Sequence, residues 1–383
     1  MRFNPKVINN FQSNLFPYDH YYTLYQSYYK EAIQCYLSDF NIKVIEHNVA
    51  HFPKLLQKIG HLRASRKIRQ SLGPLTSLVK FGADGLAWSL GVRQNPLSSL
   101  VGEYSFNSSN RQIKLCIDSA DSGKIDHFSF LNNNDIYLKT NYASDGYYDK
   151  KVIPFFNCNP LVLPHIKTLR SMRNMQTQYD ICFIVRVWGG RNEIEGIEHC
   201  IRLLEGIKKA RCNKFVLAYL VAGNTTKLAD RLRQNGIPST TRPIPYQQLC
   251  KISAQSRLNI IRLGMFQCVP WRMTDLLALG ARIVFDQNIK TIWPVPLELA
   301  QNYFSLYATT TIDQPIASDD CYKDIPDRLE FYLSNEFATR TMTKINAEYF
   351  DNHLAPKPVG KKICEIVCHA LENKFFKQSF REH

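Results

Sequence analysis

One stretch decides the fold of this chain: Arg257-Leu-Asn-Ile-Ile-Arg-Leu-Gly264, then Met265-Phe-Gln-Cys-Val-Pro-Trp-Arg-Met-Thr-Asp-Leu-Leu-Ala-Leu-Gly-Ala281, then Arg282-Ile-Val-Phe-Asp-Gln287. Apolar residues predict a strand before Gly264 and a second strand around Ile283–Phe285. The segment between them predicts a helix that starts near Pro270 and is only long enough to be a crossover. Two parallel strands joined by such a helix form a βαβ unit, and sheets built from these units bind ligands beyond the carboxyl ends of their strands.

The loop from Gly264 to Val269 therefore lies at the predicted binding edge. Pro270 suits the first turn of a helix, where backbone N–H groups lack partners and attract anions such as phosphates. Arg272 and Asp275 are three residues apart and project from one face of that turn. An arginine there suits a diphosphate, and a carboxylate there suits a ribose hydroxyl. The alternative for Asp275 is that the helix dipole alone favours an acid in the first turn.

This pattern resembles the nucleotide-sugar signature of GT-B glycosyltransferases. The resemblance is carried by Gly264, Pro270-Trp-Arg272, Asp275-Leu-Leu-Ala-Leu-Gly280 and the following strand, which ends in an acid. The Arg three residues before the acid is similar to exostosin-type and related enzymes, whereas many GT-B families have Glu where this chain has Asp275. The match covers residues 179–287. It implies that a nucleotide sugar donor is held by Gly264, Pro270, Trp271, Arg272 and Asp275.

Bulk properties narrow the class of protein. The chain has 383 residues, which is natural for two domains, and its 45% hydrophobic and 21% charged residues are typical of a globular protein. The net charge of +15 predicts an acidic partner, such as a nucleotide diphosphate, an anionic membrane surface or a nucleic acid. The 11 cysteines include no C-x-x-C pair, so we expect reduced thiols and no zinc site. We find no signal-peptide core and no membrane-spanning run, and we expect a cytoplasmic protein that is either soluble or peripheral at the membrane.

The first half of the chain offers two candidate ligand surfaces. Tyr21, Tyr22, Tyr25, Tyr28 and Tyr29 recur at near-helical spacing and suit either stacking on bases or sugars, or the packed face of an amphipathic helix. A basic helix is predicted over residues 53–72. Its charges indicate either a solvated face or a patch for anionic lipid or a polyanionic acceptor.

The first half also contains the candidate general bases. Asp118 and Asp121 follow the predicted strand at residues 112–118, and carboxylates just beyond a strand end lie where active sites collect. Either one could take the proton of an acceptor hydroxyl. The alternative is an Asx turn or a helix cap. His127 is a third candidate for the base.

From Tyr179 onward strands and helices alternate, which predicts a doubly wound α/β domain. Its first turn contains Gly189 and Gly190, which let the backbone approach a phosphate, and Arg186 and Arg191 bracket them. In GT-B proteins the corresponding turn often supplies a basic residue to the donor diphosphate. A tight turn with a helix cap is the alternative. The chain has neither G-x-G-x-x-G nor G-x-x-x-x-G-K-[ST], which disfavours dinucleotide oxidoreductases and P-loop NTPases.

The predicted fold class is α/β, with two Rossmann-like domains facing across a cleft, as in GT-B proteins. We place an acceptor-side domain at residues 1–165 and a nucleotide-sugar-binding domain at residues 178–350. A final amphipathic helix at residues 359–376 is expected to pack back on the first domain, with docking on a membrane surface as the alternative.

The expected function is the transfer of a sugar from a nucleotide diphosphate sugar to a hydroxyl of a glycan or a lipid-linked acceptor. The chain has no Asp-x-Asp, the usual metal–diphosphate clamp of the other large glycosyltransferase fold, so we expect no metal and no cofactor. Arginines and helix N-termini would then meet the charge of the leaving diphosphate. The alternative is a non-catalytic protein that binds a phosphorylated or polyanionic ligand; no nucleic-acid motif is present, so a nucleic acid is not the expected partner.

Overall fold

The computed structural model describes residues 5–13, 20–46, 100–125, 128–187, 193–220, 225–264, 267–311 and 313–372. The predicted basic helix at residues 53–72 lies outside the described residues, as do His127, Gly189, Gly190 and Arg191. The described elements form two α/β domains, each built on a six-stranded sheet.

Within the described residues, the first domain contains six strands and two α-helices before the chain crosses to the second domain. In chain order they are β1 (Asn10–Ser13), α1 (His20–Leu37), β2 (Lys43–Glu46), β3 (Val101–Asn107), β4 (Gln112–Asp118), α2 (Phe128–Asn133), β5 (Ile136–Lys139) and β6 (Val152–Pro154). The sheet order is β2-β1-β3-β4-β5-β6. Strand β3 runs antiparallel to β1 and β4, whereas β4, β5 and β6 are parallel to one another. This sheet is therefore mixed, and its parallel half ends at Asp118 and Lys139.

A short helix, α3 (Ile166–Ser171), lies on the crossing to the second domain. That domain continues with β7 (Tyr179–Val187), α4 (Glu193–Lys209), β8 (Lys214–Leu220), α5 (Thr225–Gln234), β9 (Ser239–Thr240), α6 (Tyr246–Ala254), β10 (Ser256–Ile261), α7 (Arg272–Ala278), β11 (Ile283–Phe285), β12 (Phe304–Ser305), α8 (Asp319–Lys323), α9 (Ile325–Ser334) and α10 (Glu336–Tyr349). Its sheet has the order β12-β11-β10-β7-β8-β9 and is parallel throughout. The carboxyl ends of β7, β10 and β11 therefore meet at one edge.

The predicted βαβ unit is present, and burial explains its elements. Strands β10 and β11 are buried on both faces because helices cover both sides of a parallel sheet. Helix α7 is buried from Met273 to Ala278, where it ends. Gly280, just beyond that end, has a φ of +61°, the left-handed conformation that glycine adopts after a helix. The apolar face of α4 is also buried, through Cys200, Leu203, Leu204 and Ile207.

The chain returns to the first domain through a π-helical turn (Phe350–Leu354) and a last helix, α11 (Pro356–Glu372). Helix α11 packs closely against α1. The helices approach so closely at Gly360 that a Cβ there would overlap the carbonyl oxygen of Ala32. One hydrophobic core runs continuously from the first sheet through this helix pair to α7. The two α/β sheets confirm the predicted fold class, while the exact domain limits stay a prediction.

Two tyrosines of the candidate stacking surface belong to this core. Tyr28 and Tyr29 are fully buried, and their hydroxyls donate to the carbonyl oxygens of Leu354 and Phe156. These two contacts tie α1 to both crossings between the domains. The packing interpretation therefore holds for Tyr28 and Tyr29, and neither ring is available to stack on a ligand.

Candidate functional site

The loop after β4 and the loop after β10 meet where the two domains touch. Asp121, from the first domain, accepts a hydrogen bond from the thiol of Cys268, in the second. Around this contact lie Ala120, Asn141, Asn157 and Val269, and we call these six residues the domain seam. Since β4 and β10 both end here, the seam lies at the carboxyl edges of both sheets, where α/β proteins bind ligands.

Asp121 is the titratable group of the seam. Its side chain is exposed, yet partial desolvation between the domains raises the pKa of Asp121, against the opposing effects of the Cys268 thiol and of Lys139. Burial in turn raises the pKa of the Cys268 thiol well above its ordinary value, so the proton of this contact stays on sulfur. An accessible carboxylate with a raised pKa is suited to accept a proton.

Two buried asparagines flank Asp121. Asn141 donates through Nδ2 to the carbonyl of Ala120, at 2.9 Å, and Asn157 donates in the same way to the carbonyl of Val269, at 2.8 Å. The Oδ1 atoms of both side chains are buried and have no hydrogen-bond partner among the described residues. Buried polar atoms are normally satisfied, and an amide oxygen accepts hydrogen bonds. The seam therefore contains two buried amide oxygens that accept no hydrogen bond from the described residues.

Asp118 has a different environment, although it is only three residues from Asp121. It is fully buried, and its Oδ2 accepts from Lys139 Nζ at 2.8 Å and from the Tyr137 hydroxyl at 2.6 Å. Its Oδ1 accepts from the backbone N–H of Ala120, at 2.8 Å. A carboxylate closed in this way cannot reach an acceptor hydroxyl. The structure thus corrects Asp118 from a candidate base to an anchor that fixes the start of the Asp121 loop.

The glycine loop after β10 closes on itself. Gly264 donates its backbone N–H to the carbonyl of Cys268, at 2.8 Å, and Gln267 donates to the carbonyl of Gly264, at 2.9 Å. A Cβ at Gly264 would overlap the Cys268 sulfur. Glycine is required here by this close approach. Because its N–H is used within the loop, Gly264 shapes the predicted donor site without donating to a ligand.

Helix α7 begins two residues later than the sequence indicates. Pro270 and Trp271 are half-buried and form the preceding turn, whose carbonyls accept from the N–H groups of Met273 and Thr274. Those two N–H groups are therefore satisfied within the turn. This geometry does not favour the anion site that was predicted at this helix start.

Arg272 and Asp275 do share a face of α7, but that face is turned inward. Arg272 donates to Ser253 Oγ at 2.6 Å, and its Nη1 is buried without a partner among the described residues. Asp275 is 3% exposed and accepts from Asn159 Nδ2 at 2.7 Å and from the Tyr246 hydroxyl at 3.0 Å. Both side chains have partners within the protein in this conformation, and their donor contacts stay predictions.

Asp275 instead fastens the crossing between the domains. Asn159 lies on that crossing, and its backbone N–H also donates to Thr274 Oγ1 on α7, at 3.2 Å. Burial raises the pKa of Asp275 to about 6, despite the opposing effects of Arg272, Tyr246 and Asn159. The carboxylate therefore has a positional function at the domain boundary.

Among the described residues, Arg186 is the predicted donor-binding arginine that is exposed. It is the second-last residue of β7, at the carboxyl edge of the sheet. The turn with Gly189, Gly190 and Arg191 follows directly but lies outside the described residues. Their donor contacts, and that of Arg186, stay predictions.

Asp286, His199 and Tyr322 form a buried network that the sequence did not reveal as a site. Asp286 follows β11 and accepts from the N–H groups of Leu263 and Gln287, at 3.0 and 3.1 Å. The Tyr322 hydroxyl accepts from a backbone N–H, so it donates to His199 Nδ1 at 2.6 Å, and Nε2–H then donates to Asp286 at 3.3 Å. This network holds the end of β10 just before Gly264. The acid at the strand end was its only sequence signal.

Two general features complete the description. Within the described ranges, no three His, Cys, Asp or Glu side chains converge closely enough to hold a metal ion. No helix in those ranges combines the length and apolar character needed to cross a bilayer.

Comparisons with known proteins gave structural similarity only. The sequence matches no protein-family model and no curated protein. Among solved structures, S. aureus TarM in complex with UDP superposes with a TM-score of 0.42 and 13% identity, covering 61% of this chain and 44% of TarM. This chain thus spans less than half the length of TarM. Anabaena HepE in complex with UDP and glucose has a TM-score of 0.44 and 10% identity over 92% of this chain and 96% of its own. A glycosyltransferase from Rickettsia africae has a TM-score of 0.39 and 9% identity over 90% and 82%.

Proposed function

We propose that this protein is a GT-B type glycosyltransferase that moves a sugar from a nucleotide diphosphate sugar to a hydroxyl group, with its active site at the domain seam. The observation that carries the proposal is the position of Asp121. It is an exposed acid of one domain, it has a raised pKa, and it faces the glycine loop of the other domain. The carboxyl edges of the two sheets meet at the domain seam, and this arrangement suits a reaction between two substrates, one bound by each domain.

On the acceptor side, Asp121 acts as the general base. The acceptor hydroxyl attacks the anomeric carbon of the donor, the bond from that carbon to the diphosphate breaks, and the hydroxyl proton passes to Asp121. The free Oδ1 atoms of Asn141 and Asn157 accept hydrogen bonds from neighbouring sugar hydroxyls and orient the acceptor.

On the donor side, Arg186 and the turn formed by Gly189, Gly190 and Arg191 bind the diphosphate at the end of β7. Cations there stabilise the charge that develops on the leaving group, and the reaction then needs no metal ion. Arg272 and Asp275 are left out of this donor site because Arg272 donates to Ser253 within the second domain and Asp275 accepts from Asn159 on the first crossing.

The acceptor that we propose is a hydroxyl of a glycan or of a lipid-linked sugar. The net charge of +15 supports an acidic partner in either case. The rival function, non-catalytic binding of a polyanion, loses part of its support because Tyr28 and Tyr29 are packed in the core.

Incubation of the purified protein with a panel of UDP- and GDP-sugars tests the proposal. We expect one donor to bind and to release nucleotide diphosphate, at a rate that excess chelator leaves unchanged. Release that a chelator abolishes would contradict the metal-independent part of the proposal. Absence of both binding and release across the panel, together with tight binding of a polyanion, would favour the rival function.

A further inference from the structure

A cavity of about 760 Å³ lies between the two crossings of the chain, and it shares no residue with the domain seam. Phe156 and Ile166 line it from the first crossing, and His353 and Lys357 line it from the return crossing. Tyr36 of α1 and Val295 of the second domain complete its walls. We call this cavity the hinge pocket. Its volume is within the usual range for sites of small organic ligands, roughly 300–1,000 Å³.

The charges at the hinge pocket do not cancel. Asp351 is bound by two arginines, Arg173 at 2.6 Å and Arg170 at 2.8 Å. Burial alone would raise the pKa of Asp351, but the hydrogen bonds from these arginines hold it below its ordinary value, so the carboxylate is ionised. One carboxylate therefore faces two cations at this wall.

The first two turns of α11 repeat this imbalance. Lys361 and Lys362 share one carboxylate, Glu365, at 3.9 and 4.0 Å, distances longer than a hydrogen bond. Lys357 forms a closer pair with Asp39, at 2.7 Å. Among the lining residues, the four cations Arg170, Lys357, Lys361 and Lys362 stand against the two carboxylates Asp351 and Glu365, which leaves an excess of two positive charges.

One of the lysines also occupies an unfavourable position on its helix. Lys357 lies in the first turn of α11, which has no acid in that turn, and Lys361 and Lys362 follow in the second turn. The positive end of the helix dipole disfavours a cation in the first turn. Departures from local preference are typical of functional sites, where another interaction compensates for them. The apolar face of α11 is already covered by α1, so burial of that face in a membrane does not explain the lysines.

We propose that the hinge pocket binds a phosphate monoester that carries an organic group. A phosphate monoester has a charge of about −1.5 to −2 at pH 7, which matches the excess of two positive charges. Lys361, Lys362 and Arg170 contact the phosphate, and the organic group lies against Tyr36, Phe156 and Val295. Such a ligand touches both crossings and both domains. Its binding therefore favours the domain arrangement seen in this structure.

The phosphate monoester can come from a soluble metabolite or from a lipid headgroup, and two probes distinguish these sources. Glycerol 3-phosphate is titrated into the full chain by calorimetry. Vesicles of phosphatidylcholine with and without phosphatidic acid are tested by co-sedimentation. Binding of glycerol 3-phosphate alone indicates a soluble ligand, and additional binding to the phosphatidic acid vesicles indicates a lipid ligand.

The double variant Lys361→Ala/Lys362→Ala tests the site itself. Because charge-assisted hydrogen bonds are lost, we expect the probe that binds the wild type to bind about tenfold or more weakly. The matched control is Lys323→Ala/Lys344→Ala, which removes the same charge from exposed positions of the second domain. Lys344 also has its partner, Glu348, at 3.9 Å.

The control is expected to bind as the wild type does, and all three proteins are expected to unfold at the same temperature without ligand. The proposal is overturned if neither probe binds the wild type at physiological salt. Equal binding by the Lys361/Lys362 double variant and the wild type overturns it as well. Neither outcome depends on sugar transfer, so the test is separate from that of the proposed function.

Discussion

Replacing Asp275 by Asn should change how the stability of the protein depends on pH. Asp275 is buried between α7 and the first crossing, and the hydrogen bonds from Asn159 and Tyr246 both end on its Oδ1. An Asn side chain at this position keeps an oxygen that can accept from Asn159 and Tyr246. The variant therefore removes the ionisable group while it retains the hydrogen bonds.

The magnitude follows from the pKa of Asp275, which burial raises to about 6. An Asp in the unfolded chain has a pKa of about 3.9, and one pKa unit corresponds to about 1.36 kcal/mol. Below about pH 4 the carboxyl group is protonated in both states, and between about pH 4 and 6 only the folded state keeps the proton. The wild type should thus lose about 3 kcal/mol of unfolding free energy from this group as pH rises through this window.

Urea unfolding from pH 3.5 to 8, followed by tryptophan fluorescence, measures the effect. Other carboxyl groups contribute equally to both proteins, so the difference between wild type and Asp275→Asn isolates this residue. As pH rises from about 4 to 6, we expect the unfolding free energy of Asp275→Asn to increase by about 3 kcal/mol relative to that of the wild type. The control Asp145→Asn, which alters an exposed carboxylate, should show no such change. A constant difference at all pH values would refute the assigned burial and pKa of Asp275.

Two further substitutions test the packing beside the seam. Gly264→Ala places a Cβ against the Cys268 sulfur and should cost about 1–3 kcal/mol of unfolding free energy. The double variant Gly264→Ala/Cys268→Ala should recover most of this loss. A double variant that is no more stable than Gly264→Ala would contradict this contact. Lys139→Met leaves the buried Asp118 without its cation and should cost about 3–5 kcal/mol of unfolding free energy, whereas Asp118→Asn/Lys139→Met should cost less. Thermal and urea unfolding measure both variants. A single variant as stable as the wild type would show that the pair is not buried.

Much of the second domain could be predicted because its signals are local. Its main strands are six to nine residues long and each contains a short apolar run, and helices with one apolar face separate them. In the first domain, β1 and β3 escaped prediction. They pair with each other across more than 90 residues, as in the register Phe11↔Phe106, and no local pattern records such a pairing.

The site could be predicted only in part, because side-chain direction depends on neighbours distant in sequence. Asp118 and Asp121 look equivalent in the sequence, but Lys139 lies beside Asp118 in the register of β4 and β5 and closes it off. The spacing of Arg272 and Asp275 placed them correctly on one helix face. That this face meets the first crossing was decided by Asn159, 116 residues from Asp275.

The asparagines of the seam show the same limit. Asn141 and Asn157 lie in turn-rich segments, where Asn is most often a turn residue. The hydrogen bond from Asn157 to Val269 joins segments that are 112 residues apart in the sequence. No spacing rule in the sequence could have selected them.

The central claim is that Asp121 accepts the acceptor proton at the seam, and the pH profile of sugar transfer by Asp121→Asn tests it most directly. With the donor and acceptor that support turnover, wild-type kcat/KM should rise with pH through a group whose pKa lies above the ordinary range of Asp. In Asp121→Asn, kcat/KM should no longer rise with pH in this way, and its value should fall by about 100-fold or more. Asp145→Asn should keep the wild-type pH profile and the wild-type kcat/KM. A profile and rate that survive in Asp121→Asn would contradict the assignment of the base and with it the position of the active site.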